Sequence, residues 1–395
     1  MQLHRILGVS TLVVAGVATP VASAGAVPAA HPNSVHSNSA PSVRPAGAQS
    51  GSGGDHGDDR SRDHKHGDDR RDDRRDDRRD DRRDDDKSGR YSFAVIGDVP
   101  YGADQIAKFP SWIQQINEAD PAMAFHVGDI KSGSDRCDNA YYTQIKRDFN
   151  RFDGPLIYTP GDNEWTDCHR PSNGAYNPLE RLAYDRSVFF QRPGTTLGEH
   201  PVKVASQAAA GFPENVQLRR KRINFAVLHV VGSNNDLKPW TGIGQTAPTA
   251  AQVAEERARM ANTIKVVRDS FATARKRHDR AVVLMLQADM FDPTYTPAWD
   301  DISAFQPLVQ AIVDESRTFA GQVYLFNGDS HQYNADRPLA AGSPWLATYQ
   351  VRGSADSLRR ITVDGSSNNN DWLKVTVNRP GSADVLSWTQ VPYTS

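Results

Sequence analysis

The sequence is short of apolar residues, and it has no long apolar run after its first 24 positions. Only 38% of its 395 residues are apolar, and the deficit is concentrated in the first 90. Fewer than 395 residues can therefore share a core, although the remainder is ample for one large domain. No later segment approaches the roughly 20 apolar residues that a membrane-spanning helix needs, so we expect no membrane anchor.

An excess of charge of one sign is also lacking, and cysteine is nearly absent. The formal net charge is -2, which gives no electrostatic reason to expect a nucleic acid or an anionic membrane as a partner. The chain has two cysteines, and neither directly follows the N-terminal apolar stretch. A lipid-anchored protein is therefore not expected.

The sequence begins with two segments that we do not expect to contribute to a folded core. Residues 1–24 predict a secretory signal, because a basic start and an apolar stretch lead to the small residues Ala22-Ser23-Ala24. Residues 25–89 predict a disordered linker, in which Asp-Asp-Arg-Arg occurs four times between 68 and 83. We therefore expect a secreted protein whose folded domain spans residues 90–395.

The folded part opens with a repeated pattern of strand, loop and helix. Apolar runs at 91–96, 122–127 and 155–158 predict strands, and each is followed by Gly-Asp. Apolar residues at helical spacing lie between these runs. The pattern predicts a largely parallel sheet with its polar loops gathered at one edge.

The second half of the domain predicts further strands and one long helix. Strands are predicted at 224–231, 281–286 and 322–326, with a helix at 250–277 between the first two. A later β-type piece at 372–377 suggests a second sheet that closes the domain.

Five short polar clusters follow the apolar runs. They are Gly97-Asp98-Val99-Pro100-Tyr101-Gly102, Gly128-Asp129-Ile130-Lys131, Gly161-Asp162-Asn163-Glu164, Gln287-Ala288-Asp289 and Gly328-Asp329-Ser330-His331. Carboxylates that converge at one sheet edge raise each other's pKa unless a cation lies among them. A divalent metal centre is the simplest arrangement that makes them compatible.

In the order and spacing of these clusters, residues 91–391 resemble the calcineurin-like metallophosphoesterases. The resemblance implies an α/β fold, a four-layer α/β/β/α sandwich with two mixed sheets, and a centre of two divalent metal ions. By matched position, Asp98 and His331 would hold the first metal and Asp129 would bridge both. The residues implied at the second metal are Asp162, Gln287 and Asp329.

The match to the family's pattern is incomplete, and the departures point to a particular kind of ion. Pro100 and Gln287 stand where the family has histidine ligands, Asp162-Asn163 replaces an Asn-His pair, and Asp329 replaces another histidine. Oxygen ligands suit hard cations, so we expect Mg²⁺, Mn²⁺ or Ca²⁺ rather than Zn²⁺ or iron.

The resemblance implies hydrolysis of phosphate mono- or diesters by a metal-bridging hydroxide. Asn163 stands at the position of the family's proton-donating histidine and cannot act as a general acid, so His169 is a candidate for that role. The candidates for holding the phosphate are Lys131, Arg136 and Arg170. We expect a small-molecule phosphoester as substrate, while its identity and the oligomeric state stay open.

Two other functions remain open at this stage. The lost ligands are compatible with a catalytically silent exported domain that uses the cleft to bind a ligand or a cation. Gly328-Asp329-Ser330 also resembles the nucleophile block of the GDS-type serine esterases, although in that family the block lies near the start of the domain.

The remaining features carry structural interpretations. Cys137 and Cys168 predict a disulfide in an exported protein, with two independent buried thiols as the alternative. His126 and His229 lie inside apolar runs and are predicted to be core residues. The basic run at 219–222 is interpreted as a solvated strand entry, and residues 234–236 could line the cleft or turn the chain.

Overall fold

The computed structural model describes residues 89–394. The predicted signal and all but the last residue of the predicted linker lie outside this range. Its strands are β1 (Tyr91–Ile96), β2 (Ala124–His126), β3 (Leu156–Tyr158), β4 (Ala205–Gln207), β5 (Phe212–Arg220), β6 (Ile223–Val227), β7 (Ala281–Met285), β8 (Gln322–Asn327), β9 (Asn334–Asp336), β10 (Leu358–Thr362), β11 (Asp371–Val377) and β12 (Leu386–Pro392). Its helices are α1 (Gly102–Glu118), α2 (Asn139–Phe149), α3 (Pro178–Phe189), α4 (Ala250–Arg277), α5 (Trp299–Ile302), α6 (Gln306–Arg317) and α7 (Pro344–Thr348).

The strands form two mixed sheets. The first has the order β12-β11-β1-β2-β3, in which β1, β2 and β3 run parallel and β11 and β12 are antiparallel. The second has the order β4-β5-β6-β7-β8-β10-β9, in which β6, β7, β8 and β10 run parallel. Each sheet therefore gathers the carboxyl ends of its parallel strands at one edge.

The two sheets face each other, and helices cover their outer faces. Phe93 on β1 makes edge-on ring contacts with Phe225 and Phe326 of the second sheet. Its neighbour Ala94 points the other way and packs with residues of α1 and α2. On the far side, Leu284 of β7 packs with residues of α4 and α6. This alternation confirms the predicted four-layer α/β/β/α sandwich.

Most predicted elements have bounds close to those observed. The strand at 91–96 and the helix at 250–277 have the predicted bounds, and a Thr249–Gln252 capping box begins α4. The strand predicted at 224–231 is shorter, because the chain leaves the ladder after Val227. The basic run at 219–222 forms a hairpin turn, with Lys221 and Arg222 at positive φ between β5 and β6. Among residues 89–394, no helix is long and apolar enough to cross a membrane.

Candidate metal centre

The sheets bring the acidic motif residues to one edge. Asp98, Asp129 and Asp162 lie in the loops after β1, β2 and β3, while Asp329 and His331 follow β8 of the second sheet. The backbone N–H of Asp329 donates to both carboxylate oxygens of Asp98 at 3.1 Å, so the two sheets meet directly at the site.

Glycines allow these loops to approach so closely. A Cβ atom on Gly161 would lie 2.1 Å from Asp129 Oδ1, and one on Gly328 would lie 2.1 Å from Asp98 Oδ2. A Cβ atom on Gly365 would likewise lie 2.2 Å from the Asp98 Cβ. Gly161 and Gly328 therefore make room for a neighbouring motif's carboxylate.

The acidic side chains form two groups that share one member. Asp98, Asp129 and His331 each offer a ligand atom within 4.8 Å of the others, and so do Asp129, Asp162 and Asp329. Two groups that share a carboxylate are the arrangement that a two-cation centre needs. The structure thus places Asp129 where the resemblance implies a bridging ligand.

The electrostatics of the cluster favour a cation. Burial, followed by the charges of neighbouring carboxylates, raises the pKa of Asp129 and of Asp329 well above the ordinary value. Burial also raises the pKa of Asp162. Burial opposes a charge on His331, but its contact with Asp98 raises its pKa. Oxygen-rich, buried and mutually repelling, these side chains fit hard divalent ions.

Gln287 and Asn163 contact the carboxylates through amide nitrogens. Gln287 Nε2 donates to Asp129 Oδ2 at 3.1 Å and to Asp162 Oδ1 at 3.0 Å, while its oxygen accepts the Gly232 N–H at 2.7 Å. Asn163 Nδ2 donates to Asp129 Oδ2 at 3.0 Å. In this arrangement Gln287 is a hydrogen-bond donor within the centre and presents no oxygen to an ion.

Tyr101 is a site residue that sequence reasoning missed. Its hydroxyl donates to Asp129 Oδ2 at 3.1 Å and accepts from Asn163 Nδ2 at 2.7 Å, and its ring meets His331 edge-on. The available signal was its place in the first polar cluster, one residue after Pro100. The hydroxyl adds a neutral O–H group beside the shared carboxylate.

Glu164 links two of the motif loops through hydrogen bonds to their backbone. Its Oε1 accepts the backbone N–H groups of Asp129 at 3.1 Å and Gly161 at 2.6 Å, and the Tyr158 hydroxyl at 2.8 Å. The side chain is fully buried. Glu164 therefore positions the loops that carry Asp129 and Asp162.

The structure separates the three predicted phosphate-binding residues. Lys131 is buried and donates to the carbonyl oxygens of Ser132 and Asn163 at 2.8 Å, and burial lowers its pKa. Arg136 pairs with Asp138 on the surface at 2.9 Å. Arg170 is half-exposed, pairs with Asp167 at 2.7 Å, and lies close enough to Asp162 to lower its pKa. Of the three, Arg170 is the one that is both exposed and close to a carboxylate of the cluster.

His169 makes no contact with the acidic cluster among the hydrogen bonds and ion pairs of the described residues. Its Nδ1 accepts the Gly242 N–H at 3.1 Å. Burial, followed by the charge of Arg170, lowers its pKa. No hydrogen bond in the described part of the chain connects it with the acidic cluster.

The structure tests the predictions made for the two cysteines, the two histidines in apolar runs and residues 234–236. Cys137 and Cys168 form the predicted disulfide, with Cα atoms 5.8 Å apart. His126 and His229 are buried, as predicted, and burial is the largest cause that lowers the pKa of each to about 4. Residues 233–236 have positive φ and turn the chain after β6.

The serine esterase reading finds no support in the contacts of Ser330. Its hydroxyl donates to Asp289 Oδ2 at 2.8 Å, while His331 Nε2 lies 3.3 Å from Asp98 Oδ1. The serine is thus hydrogen-bonded away from the histidine that a nucleophile would need.

Motif order, layered fold and clustered acidic residues all agree with the resemblance to the calcineurin-like metallophosphoesterases. No protein-family model matches the sequence, and no curated protein matches it.

Several solved structures are similar in fold. A dimetal phosphatase from Danio rerio is 10% identical over 77% of this chain and 99% of its own, with a TM-score of 0.47. A purple acid phosphatase from yellow lupin, Lupinus luteus, is 12% identical over 77% of this chain and 52% of its own, with a TM-score of 0.41. GAP50, an anchor in the inner membrane complex of Plasmodium, is 8% identical over 78% of this chain and 90% of its own, with a TM-score of 0.38.

Proposed function

We propose that this protein is a secreted, metal-dependent phosphoesterase that hydrolyses phosphate mono- or diesters. The observation that carries the proposal is the pair of ligand groups that share Asp129. Such a centre places two cations on one phosphoryl group, and the raised pKa values of its carboxylates give those cations a favourable binding site.

Asp98, Asp129 and His331 would hold one ion, and Asp129, Asp162 and Asp329 the other. When bound, such ions neutralise charge on a phosphoryl group and lower the pKa of water. The oxygen-dominated donor set favours Mg²⁺, Mn²⁺ or Ca²⁺.

The chain's own groups would orient the substrate around this centre. Arg170 is the candidate for binding phosphoryl oxygens, because its guanidinium is half-exposed and near Asp162. Asn163 and Tyr101 present polar hydrogens beside Asp129, where they can hold the shared carboxylate in one orientation. Secretion is proposed from the predicted signal at 1–24, and the disulfide is compatible with an oxidising compartment.

The test is hydrolysis of aryl phosphate mono- and diesters by protein stripped of metal and then supplied with single ions. We expect turnover with Mg²⁺, Mn²⁺ or Ca²⁺ and a loss of at least about a thousandfold in Asp129→Ala, because both groups lose a ligand. Arg136→Ala, on the surface, is the matched control.

Metal content measured on the same samples separates the alternatives. Bound ions without turnover would favour the catalytically silent binding protein. Turnover that is equal in Asp129→Ala and the untreated protein would refute the metal centre as the source of activity.

A further inference from the structure

The loop from Asp289 to Ile302, which we call the 289–302 loop, is attached to the metal centre at its first end. The Asp289 N–H donates to Asp329 Oδ2 at 3.1 Å, and Asp289 Oδ2 accepts the Ser330 hydroxyl at 2.8 Å. Buried Arg360 holds the other carboxylate oxygen of Asp289. The loop therefore starts in direct contact with the last metal-binding motif.

The second end of the loop is attached close to another carboxylate of the centre. Asn234 Nδ2 donates to the Asp300 carbonyl at 3.1 Å, and Lys238 forms an ion pair with Asp301. The residue before Asn234, Ser233, donates its hydroxyl to Asp162 Oδ2 at 3.1 Å. One short turn thus connects the end of the loop with the second ligand group.

Between these two attachments, the loop first buries and then exposes aromatic rings. Phe291 is fully buried and meets Trp345 and Tyr349 edge-on, which fixes the base of the loop. Tyr295 and Trp299 follow it and are 52% and 41% exposed.

These rings are unusual for this molecule. Among the described residues only four large hydrophobic side chains are exposed, and three of them are the aromatic residues Tyr295, Trp299 and Tyr333. Tyr333 follows His331 by two residues. Burial and then the charges of Asp292 and Asp329 raise the pKa of Tyr295, which agrees with the attachment of both ends of its loop close to the centre. Exposed aromatic rings beside a reaction centre offer flat, apolar contact area at low entropic cost.

We propose that Tyr295 and Trp299 form a subsite for a planar aromatic group on the alcohol side of the substrate, as in a nucleoside monophosphate. The inference rests on the proposed phosphoesterase function and specifies its substrate class. Stacking suits any flat ring, because every base has a π-face.

The acidic residues of the loop further restrict which substrates the subsite can accept. Asp292 is half-buried and Asp300 is exposed, and neither forms a salt bridge among the described residues. Additional phosphates would be repelled there, so the subsite favours a neutral nucleoside over a nucleoside di- or triphosphate.

The experiment compares adenosine 5′-monophosphate with glycerol 1-phosphate, both esters of a primary alcohol, so that the reacting oxygens are alike and only the nucleotide carries an aromatic ring. We expect kcat/KM to be about tenfold higher for the nucleotide. Tyr295→Ala and Trp299→Ala should each remove most of that preference and leave glycerol phosphate turnover unchanged. Trp299→Phe should retain the preference, and Val202→Ala, an exposed apolar residue of another segment, should change neither rate.

Binding of adenosine, measured by calorimetry, gives a readout that does not depend on turnover. We expect binding to the wild-type protein and its loss in Tyr295→Ala with Trp299→Ala. If neither these two esters nor the aryl mono- and diesters are hydrolysed with any ion, the proposed function fails, and adenosine binding alone decides whether the subsite exists.

Three results would overturn the inference while leaving the proposed function intact. They are equal kcat/KM for the two esters, a nucleotide preference that survives both alanine variants, and an equally strong preference for hexyl phosphate. The last result would show an apolar surface for chains rather than a subsite for rings.

Discussion

The protein contains two clusters of buried charged side chains. One includes cationic partners for its carboxylate, and the other consists mainly of carboxylates. In the first, Glu214 accepts His229 Nδ1 at 2.8 Å and Arg186 at 2.5 Å. Although burial opposes its ionisation, these partners lower the pKa of Glu214 to about 2. In the second, the carboxylates of Asp129, Asp162 and Asp329 are raised in pKa by burial.

The difference between the clusters lies in where the compensating cation comes from. Arg186 belongs to the chain, so the Glu214 cluster is complete when the protein folds. Lys131, in the second motif, donates to carbonyl oxygens and not to the carboxylates of the centre. A buried acidic cluster whose carboxylates outnumber its cationic neighbours is suited to binding a cation, whereas a paired cluster contributes to the fold.

The largest effect should come from breaking the balanced cluster. Arg186→Met leaves the Glu214 carboxylate buried beside a neutral histidine, and we expect the free energy of unfolding to fall by about 3–5 kcal/mol. Urea unfolding of the metal-free protein measures it. Arg136→Met, which breaks an exposed pair, is the control, and a fall no larger than in that control would contradict the prediction.

A smaller loss should follow from releasing the loops that assemble the unbalanced cluster. The Cys137–Cys168 disulfide closes a separation of 31 residues between the second and third motifs. Replacing both cysteines by serine should lower the free energy of unfolding by roughly 3–4 kcal/mol and weaken cation binding. Calorimetry and metal titration measure the two effects. An unchanged cation affinity would show that the glycine contacts alone hold the loops in place.

The smallest effect should come from Asp185. This buried carboxylate forms no ion pair among the described residues and does not belong to the metal centre. The Tyr158 hydroxyl lies 2.8 Å from Glu164 Oε1 and 3.1 Å from Asp185 Oδ1, but it has one proton to donate. Burial, followed by the charge of Glu164, raises the pKa of Asp185 well above 3.8. Asp185 therefore keeps its proton to a higher pH in the folded protein than in the unfolded chain.

The sign of the pH dependence follows from that shift. The unfolded chain loses the Asp185 proton near pH 3.8 and the folded chain loses it at higher pH, so this group lowers stability as pH rises above about 4. Asp185→Asn should remove that fall and raise the free energy of unfolding at pH 7 by about 1 kcal/mol. Chemical unfolding at pH 4 and pH 7 tests it. A variant that is less stable than wild type at pH 7 would mean that Asp185 is ionised.

Local periodicity in the sequence predicts the central elements well. The strand at 91–96 alternates residues that face the opposite sheet with residues that face the helices, and α4 has both a capping box and an apolar face. The strands β4, β5, β9, β10 and β12 were not predicted. β5, for example, contains Pro213 and Glu214 and carries no alternation strong enough to detect. β5 is held in the sheet by its backbone pairing with β6, which its own residues do not predict.

The candidate site divides in the same way. Motif order locates Asp98, Asp129 and Asp329, because the carboxyl ends of parallel strands meet at one edge. The same reasoning assigned Lys131 and Arg136 to the phosphate, yet one is enclosed by carbonyl oxygens and the other pairs at the surface. Tyr101 and Gly365 belong to the site through contacts across the fold, and no spacing rule reveals them.

The sequence by itself determined the layered α/β fold and the identity of the acidic residues at its edge, because burial pattern and strand ends are local properties of the chain. Only the tertiary structure decided which charges are paired, that Gln287 presents nitrogen rather than oxygen, and that the 289–302 loop lies at the centre. These outcomes depend on side chains distant in sequence that meet in low-dielectric surroundings, where the partner's position decides whether a charge is stable.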